Sequence, residues 1–175
     1  MGFNKNPPAV PAAEKQIAEQ ITAAIAYLRQ GWNAEAFLLL SEPGAEKEPA
    51  ARFALGLCHF SAGDLPAAIS CFEETINLLK AMPSKPVQGL TFLPQAAVEN
   101  TETFIKLSVR QIAEKIYLTP MDINFCTHFP KAALQTALLA LIDSYVLYGK
   151  IEEARRLSAG LIGPVFEEYK KNLGN

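Results

Sequence analysis

A thiol and an imidazole lie two residues apart at Cys126 and His128, and a second such pair is adjacent at Cys58 and His59. Together these side chains have the donor types of a zinc site, and a thiol beside an imidazole is the arrangement of a cysteine nucleophile. On a helix, however, adjacent residues point about 100° apart and residues two apart face opposite sides. The spacing therefore disfavours both a joint metal site and a nucleophile pair.

Other chemical motifs are missing from the sequence. It has no glycine-rich phosphate loop, no GxGxxG, no HExxH and no GxSxG. Paired acids occur at Glu73-Glu74, Glu152-Glu153 and Glu167-Glu168. A general acid needs a carboxylate shielded from water, whereas these pairs have polar neighbours and are typical of solvated helix faces. We therefore expect no catalytic residue, no cofactor and no metal.

Composition narrows the class of protein. With 175 residues, half of them apolar, the chain is long enough for one domain with a real core. A net charge of −2 with scattered Lys and Arg does not favour a nucleic-acid partner. No run approaches the roughly 18 apolar residues that cross a bilayer, and Met1 to Pro11 has no apolar stretch typical of a secretory signal. We expect a cytoplasmic protein whose three cysteines are buried rather than paired.

A repeat pattern runs from residue 49 to 83. Its frame is occupied by Leu55-Gly56, His59, Ala68, Phe72 and Pro83. This spacing resembles the tetratricopeptide repeat (TPR), which has an aromatic residue where this chain has His59. Small residues at Gly56 and Ala68 would let two antiparallel helices approach closely. A left-handed Gly63 would end the first helix, and Asp64 would cap the second.

Two weaker copies flank this unit. Tyr27, Gly31 and Ala36 come 32 residues before His59, Gly63 and Ala68, and Tyr145, Gly149 and Ala154 come 86 residues after them. The resemblance implies an all-α fold, a short right-handed stack of antiparallel helix pairs with a helical insert. The predicted segments are a flexible N-terminus at 1–11, a single domain at 12–175 with repeat-like units at 14–43, 49–83 and 131–163, an insert at 84–130 and a C-terminal helix at 164–173.

Within the insert, the sequence predicts a long helix from Pro94 through Leu118, with apolar residues near one face. Thr119-Pro120-Met121-Asp122 has the pattern of a new capped helix start. Pro130 precedes the next predicted helix.

The resemblance also implies a function. In TPR-like stacks the first helix of each pair lines a concave, ligand-facing groove. The side chains on that stripe would be Ile21, Ile25, Leu28, Phe53, Leu57 and Phe60. These residues are apolar, whereas the family's carboxylate clamp uses Lys, Arg and Asn. An apolar groove suits an amphipathic helix or an extended apolar peptide, so we expect an adaptor that binds another protein rather than an enzyme.

Other interpretations stay open. The same stripe could be core, covered by the chain's own helices, or it could pair with itself in a homodimer. A bacterial secretion chaperone of the class II type III kind is a more specific variant of the adaptor. A small-ligand protein or enzyme, with a pocket closed by the insert, is the rival from another class. Its first residues to inspect would be Cys126, His128, Asp143 and Tyr145.

Overall fold

The computed structural model describes residues 12–82, 110, 112–161 and 166–174, and these residues form helices and connecting turns without a strand. The all-α prediction is confirmed at this level. The predicted N-terminal segment 1–11, the closing Pro83 and the insert from 84 to 109 lie outside the described residues. Among the helices that are described, none is long and apolar enough to cross a membrane.

The described residues contain eight α-helices whose bounds are given below and two 3₁₀ turns, and Arg110, Ile112 and Ala113 in the insert are also helical. The α-helices are α1 (Ala12–Arg29), α2 (Asn33–Leu40), α3 (Pro49–Ser61), α4 (Leu65–Ala81), α5 (Ile123–His128), α6 (Pro130–Leu147), α7 (Ile151–Ser158) and α8 (Glu167–Gly174). The 3₁₀ turns are Ala45–Lys47 and Ile116–Leu118. Three helix pairs result, α1 with α2, α3 with α4 and α6 with α7, and α5 belongs to the insert between the second and third pairs.

The three helix pairs reverse direction through the same turn. Gly31, Gly63 and Gly149 have φ values of 81°, 78° and 83°, the left-handed region that favours glycine. In each turn the amide after the glycine donates to a carbonyl near the end of the first helix. These bonds are Trp32 N to Tyr27 O at 2.9 Å, Asp64 N to His59 O at 2.9 Å and Lys150 N to Tyr145 O at 2.8 Å. This is a Schellman-type helix end, and the left-handed Gly63 expected from the sequence is confirmed.

The second helices differ in how they begin. Asp64 caps α4 as expected, because its Oδ1 accepts a hydrogen bond of 3.3 Å from the Ala67 amide. Trp32 and Lys150 hold the same position before α2 and α7 and make no side-chain cap bond. The uncapped helices have 8 residues each, whereas α4 has 17. The central pair is therefore the best defined of the three.

The crossing of α3 and α4 is closed at a glycine. A Cβ atom on Gly56 would lie 2.6 Å from Cε1 of Phe72, well inside van der Waals contact. The Phe72 ring is fully buried and packs 5.3 Å from the ring of Phe53, so it has little room to move. The predicted close approach at Gly56 is confirmed. The small residues that follow each turn, Ala36, Ala68 and Ala154, are also fully buried.

Successive helices pack side by side. Helix α2 contacts both α1 and α3, and α4 lies against both α3 and α6. Helix α7 then packs on α6, and α8 packs on α7. The apolar residues of these contacts form one continuous core. The α4–α6 contact brings the third pair against the second although the insert separates them in sequence.

The insert departs from its prediction at two described points. Lys115 is left-handed, with φ 54° and ψ 34°, so the predicted helix does not continue to Leu118 and a 3₁₀ turn takes its place. The next helix is capped by Asp122 rather than Thr119, because Asp122 Oδ1 accepts from the Phe125 amide at 2.7 Å. Helix α5 therefore begins three residues later than the predicted start.

We predict that Gly56→Leu destabilises the fold by about 3 kcal/mol or more, since the new side chain overlaps a ring that cannot move away. Asn77→Leu is the matched control, because it puts the same side chain on an exposed position of α4. That change should alter the free energy of unfolding by less than about 0.5 kcal/mol. Urea unfolding followed by circular dichroism measures both, and equal stability of the two variants would contradict the close crossing.

Candidate partner-binding surface

Most of the predicted groove stripe does not reach solvent. Ile21, Ile25, Phe53 and Leu57 are buried, and Leu28 and Phe60 are half-buried. A ligand that approaches from outside could touch only the last two without a rearrangement. This burial favours the interpretation that the stripe is core. The assignment of the six residues to partner binding stays a prediction.

The third helix pair carries a different residue on this stripe. Counting 86 residues on from Phe53, Leu57 and Phe60 gives Leu139, Asp143 and Val146. A carboxylate on α6 thus takes the place that Ile25 and Leu57 fill in the first two pairs. Sequence reasoning treated Asp143 only as a possible enzyme residue, although the same 86-residue offset would have placed it on the stripe.

Three donors surround the Asp143 carboxylate. The Tyr117 hydroxyl donates to Oδ2 at 2.7 Å, and Lys115 Nζ lies 2.8 Å from the same oxygen. The Tyr169 hydroxyl donates to Oδ1 at 3.1 Å. The Asp143 side chain is only 11% exposed, and a carboxylate so placed needs such partners because burying an unpaired charge is costly. Lys115 and Tyr117 belong to the insert and Tyr169 to α8, so the carboxylate ties both segments to the third pair.

The two tyrosines remain hydroxyl donors at any physiological pH. Burial is the largest cause that raises the pKa of Tyr117, and its hydrogen bond to Asp143 raises it further. Burial also raises the pKa of Tyr169, followed by the charge of Asp143. Each donor is therefore kept in its protonated form mainly by its burial, and the carboxylate that it contacts adds to this effect.

Helix α5 of the insert separates the residues that were considered for cysteine chemistry. Cys126 is 1% exposed and packs into the core, while His128 is exposed on the other side of the helix. Helix α5 contacts α3 and α6, the first helices of the second and third pairs. The described part of the insert thus lies against α3 and α6 and meets the third pair at Asp143, and it does not bring Cys126 and His128 together.

The three thiols are buried and are held in their protonated form. Burial raises the pKa of Cys126 to about 12, and the charges of Asp122 and Glu48 act in the same direction. Burial also raises the pKa of Cys58 to about 11, and that of Cys71 is raised for the same reason. A nucleophilic cysteine needs a lowered pKa, so these thiols have the character of core residues. In the described part of the chain no three His, Cys, Asp or Glu residues are grouped so that they could hold a metal ion.

Tyr145 points away from the Asp143 cluster. Its hydroxyl donates to Glu73 Oε1 at 2.6 Å and so ties α6 to α4. Burial and this hydrogen bond raise the pKa of Tyr145 to about 12. Asp143 and Tyr145 are two residues apart on α6, and they serve two different contacts of that helix. Among the residues proposed for the enzyme alternative, Cys126 is thus buried while His128 is exposed, and Asp143 and Tyr145 make separate contacts.

An exposed apolar surface lies instead on the second helix of the first pair and on the residue that precedes it. Trp32, Phe37 and Leu38, here called the α2 surface, are 52%, 38% and 69% exposed. The Trp32 ring lies 5.5 Å from that of Tyr27, and the Phe37 ring meets His59 edge-on at 5.5 Å. These contacts hold the aromatic rings at the surface.

The other helix pairs do not repeat the α2 surface. The residues equivalent to Leu38 are Ser70 in α4 and Arg156 in α7, and both are exposed. Sequence reasoning missed the α2 surface because it considered only the first helices. A signal was present, since α2 has the sequence NAEAFLLL with Glu35 as its one charged residue. A helix this short buries one stripe, here Ala36 and Leu40, and leaves its other apolar residues outside.

No family model matches the chain, and neither a curated protein nor a solved structure gives a significant match. The relation among the three helix pairs is internal to the chain. It consists of the same glycine conformation, the same turn hydrogen bond and a fully buried alanine at the same spacing.

We predict that the native protein does not react with Ellman's reagent at pH 8, because all three thiols are buried and protonated. The same sample in denaturant should release three equivalents of the coloured thiolate. Reaction of one thiol in the native state, lost in Cys126→Ala, would show that Cys126 is accessible and would reopen the nucleophile hypothesis.

We also predict that stability falls as the pH rises above about 9. The folded state raises the pKa of Cys58 and Cys126 above the usual 9.0, so the unfolded chain loses these protons first. Their contribution is complete below pH 9 and is lost as the pH approaches 12. Urea midpoints measured at intervals from pH 7 to 11 test this. Cys126→Ala should make the decline shallower, and an unchanged slope would exclude that thiol as a cause.

Proposed function

We propose that the protein is a TPR-like helical-repeat adaptor that binds a segment of another protein. The observation that carries this proposal is the turn that recurs with φ values of 81°, 78° and 83° at Gly31, Gly63 and Gly149. Together with the crossing at Gly56, it agrees with the TPR-like pattern of the sequence. Stacked helix pairs of this kind present extended surfaces, and such surfaces are used to bind helices and peptides.

We assign the partner to the α2 surface. Single exposed apolar residues are common on proteins, but here three occur within seven residues, and two of them are aromatic. Trp and Phe are enriched in protein interfaces, where they often supply much of the binding energy. The chemistry of the surface suits a partner that presents apolar side chains, such as one face of an amphipathic helix.

In this proposal the predicted groove provides less of the partner-binding surface than the sequence suggested. Only Leu28 and Phe60 of its six residues are partly open, and they lie at the ends of α1 and α3 near the turns of the first two pairs. The expectations of a cytoplasmic location and of no nucleic-acid or membrane partner belong to the same proposal. A secretion-type chaperone would be a special case, with an exported protein as the partner.

Leu38→Arg tests the α2 surface. It gives α2 the residue that Arg156 supplies in the third pair, at a position 69% exposed, so the fold should be retained. We expect partner binding at least about tenfold weaker, since a charge would enter an apolar interface. Ser70→Arg is the matched control at the equivalent exposed position of α4, and it should bind like wild type.

The measurement is quantitative affinity capture from lysate of the source cells, with both variants first shown to be folded by circular dichroism. A protein lost by Leu38→Arg and kept by Ser70→Arg supports the proposal, and its binding is then measured with the purified partner. Equal capture by both variants would overturn the α2 surface. Sedimentation of the purified protein identifies the remaining case, a wild-type dimer that becomes a monomer in Leu38→Arg, in which the partner is a second copy.

A further inference from the structure

The Asp143 carboxylate interrupts an otherwise apolar stripe. The equivalent residues of the first two pairs, Ile25 and Leu57, are buried among apolar neighbours. Nothing in the packing of a helix pair requires a charge at this place, because two of the three pairs are built without one. A nearly buried carboxylate is stable only when other groups donate hydrogen bonds to it or carry the opposite charge, so the source of those groups shows what the carboxylate does.

All three donors to Asp143 come from outside the helix pairs. Lys115 and Tyr117 lie in the insert and Tyr169 lies in α8, and their donor atoms are 2.8, 2.7 and 3.1 Å from the carboxylate oxygens. Helix α6 packs on its neighbour in the stack, α4, and the hydrogen bond between them is a separate one, from Tyr145 to Glu73. The carboxylate therefore binds the insert and α8 to the third pair, and it does not hold one helix pair against the next.

The backbone of the insert is adapted to this contact. Lys115 has φ 54° and ψ 34°, a backbone conformation that residues other than glycine adopt rarely. It is the one non-glycine residue of the described chain with positive φ. This turn precedes the 3₁₀ turn that carries Tyr117, and both side chains reach the same oxygen of Asp143. Cys126 and Met121, further along the insert, are buried in the same core.

We infer that Asp143 is an internal recognition site and that the insert, from Lys115 to His128, is a ligand held by it against the first helices. The segment contacts α3, α6 and the stripe residue Asp143, and TPR-like proteins use the first helices of their pairs for peptides. The inference therefore rests on the proposed function and adds to it a second site, separate from the α2 surface. A competing partner segment would match this site with a cation and a hydroxyl donor.

The inference is that the insert opens as a unit while the helix pairs stay folded. Hydrogen–deuterium exchange with mass spectrometry tests this on the full chain without a partner, so its failure is distinct from failure of the α2 surface. In the double variant Lys115→Met, Tyr117→Phe, peptides from 112–128 should exchange at least about tenfold faster than in wild type. Peptides from α3, α4 and α8 should keep their protection, because the bond from Tyr169 remains.

Two further variants complete the test. Asp143→Leu restores the residue type of Leu57 and removes the acceptor from all three donors, so both 112–128 and α8 should exchange faster, again with α3 and α4 unchanged. Tyr145→Phe is the matched control, since it removes a tyrosine–carboxylate bond of the same helix that does not reach the insert. It should leave 112–128 as in wild type. Unchanged exchange of 112–128 in the double variant, or an equal rise in α3 and α4, would overturn the inference.

Discussion

A helix can reverse its direction within a few residues only if one residue leaves the right-handed conformation, and in the helix pairs that the structure describes a glycine does so three times. With the glycine in the left-handed conformation, the amide of the next residue donates to a carbonyl near the end of the first helix. The same conformation sets the angle between the first and second helices. The rest of the structure depends on that angle, because it determines which faces of the two helices meet. Where the two helices cross, there is room only for small residues. Ala68 is fully buried there, and Gly56 lies opposite the Phe72 ring, where even a Cβ atom would overlap it.

The same architecture leaves each pair with one face that its own helices do not cover. In the first two pairs this face is apolar, and in the third it carries Asp143. An apolar residue there gains stability from whatever covers it, whereas a carboxylate gains it only from partners with donors in the right places. At this position Leu57 of the second pair can be covered by any apolar group, whereas Asp143 of the third pair requires particular donors. Those groups, on Lys115, Tyr117 and Tyr169, lie in the two segments that break the repeat pattern.

Features set by neighbours in sequence could be predicted, and features set by distant contacts could not. The turn at Gly63 and the cap at Asp64 follow from spacings of a few residues, and the close crossing of Gly56 with Phe72 follows from a spacing of 16 within one helix pair; the structure has all three. The burial of Phe53 could not be decided from its helical periodicity, because an exposed groove and a covered one have the same pattern. What covers the stripe depends on contacts such as Tyr117 with Asp143, and no local rule encodes that pairing.

The separation of these contacts along the chain has a consequence for the order of folding. The turn bonds join residues five apart, whereas the Tyr117–Asp143 bond spans 26 residues and the Tyr145–Glu73 bond spans 72. Local contacts form first because they close short loops. During synthesis the first two helix pairs are complete, and the insert has already been made, before Asp143 leaves the ribosome. The Tyr117–Asp143 bond can therefore form only after α6 has been made, later in synthesis than the turns and the crossing of the first two helix pairs.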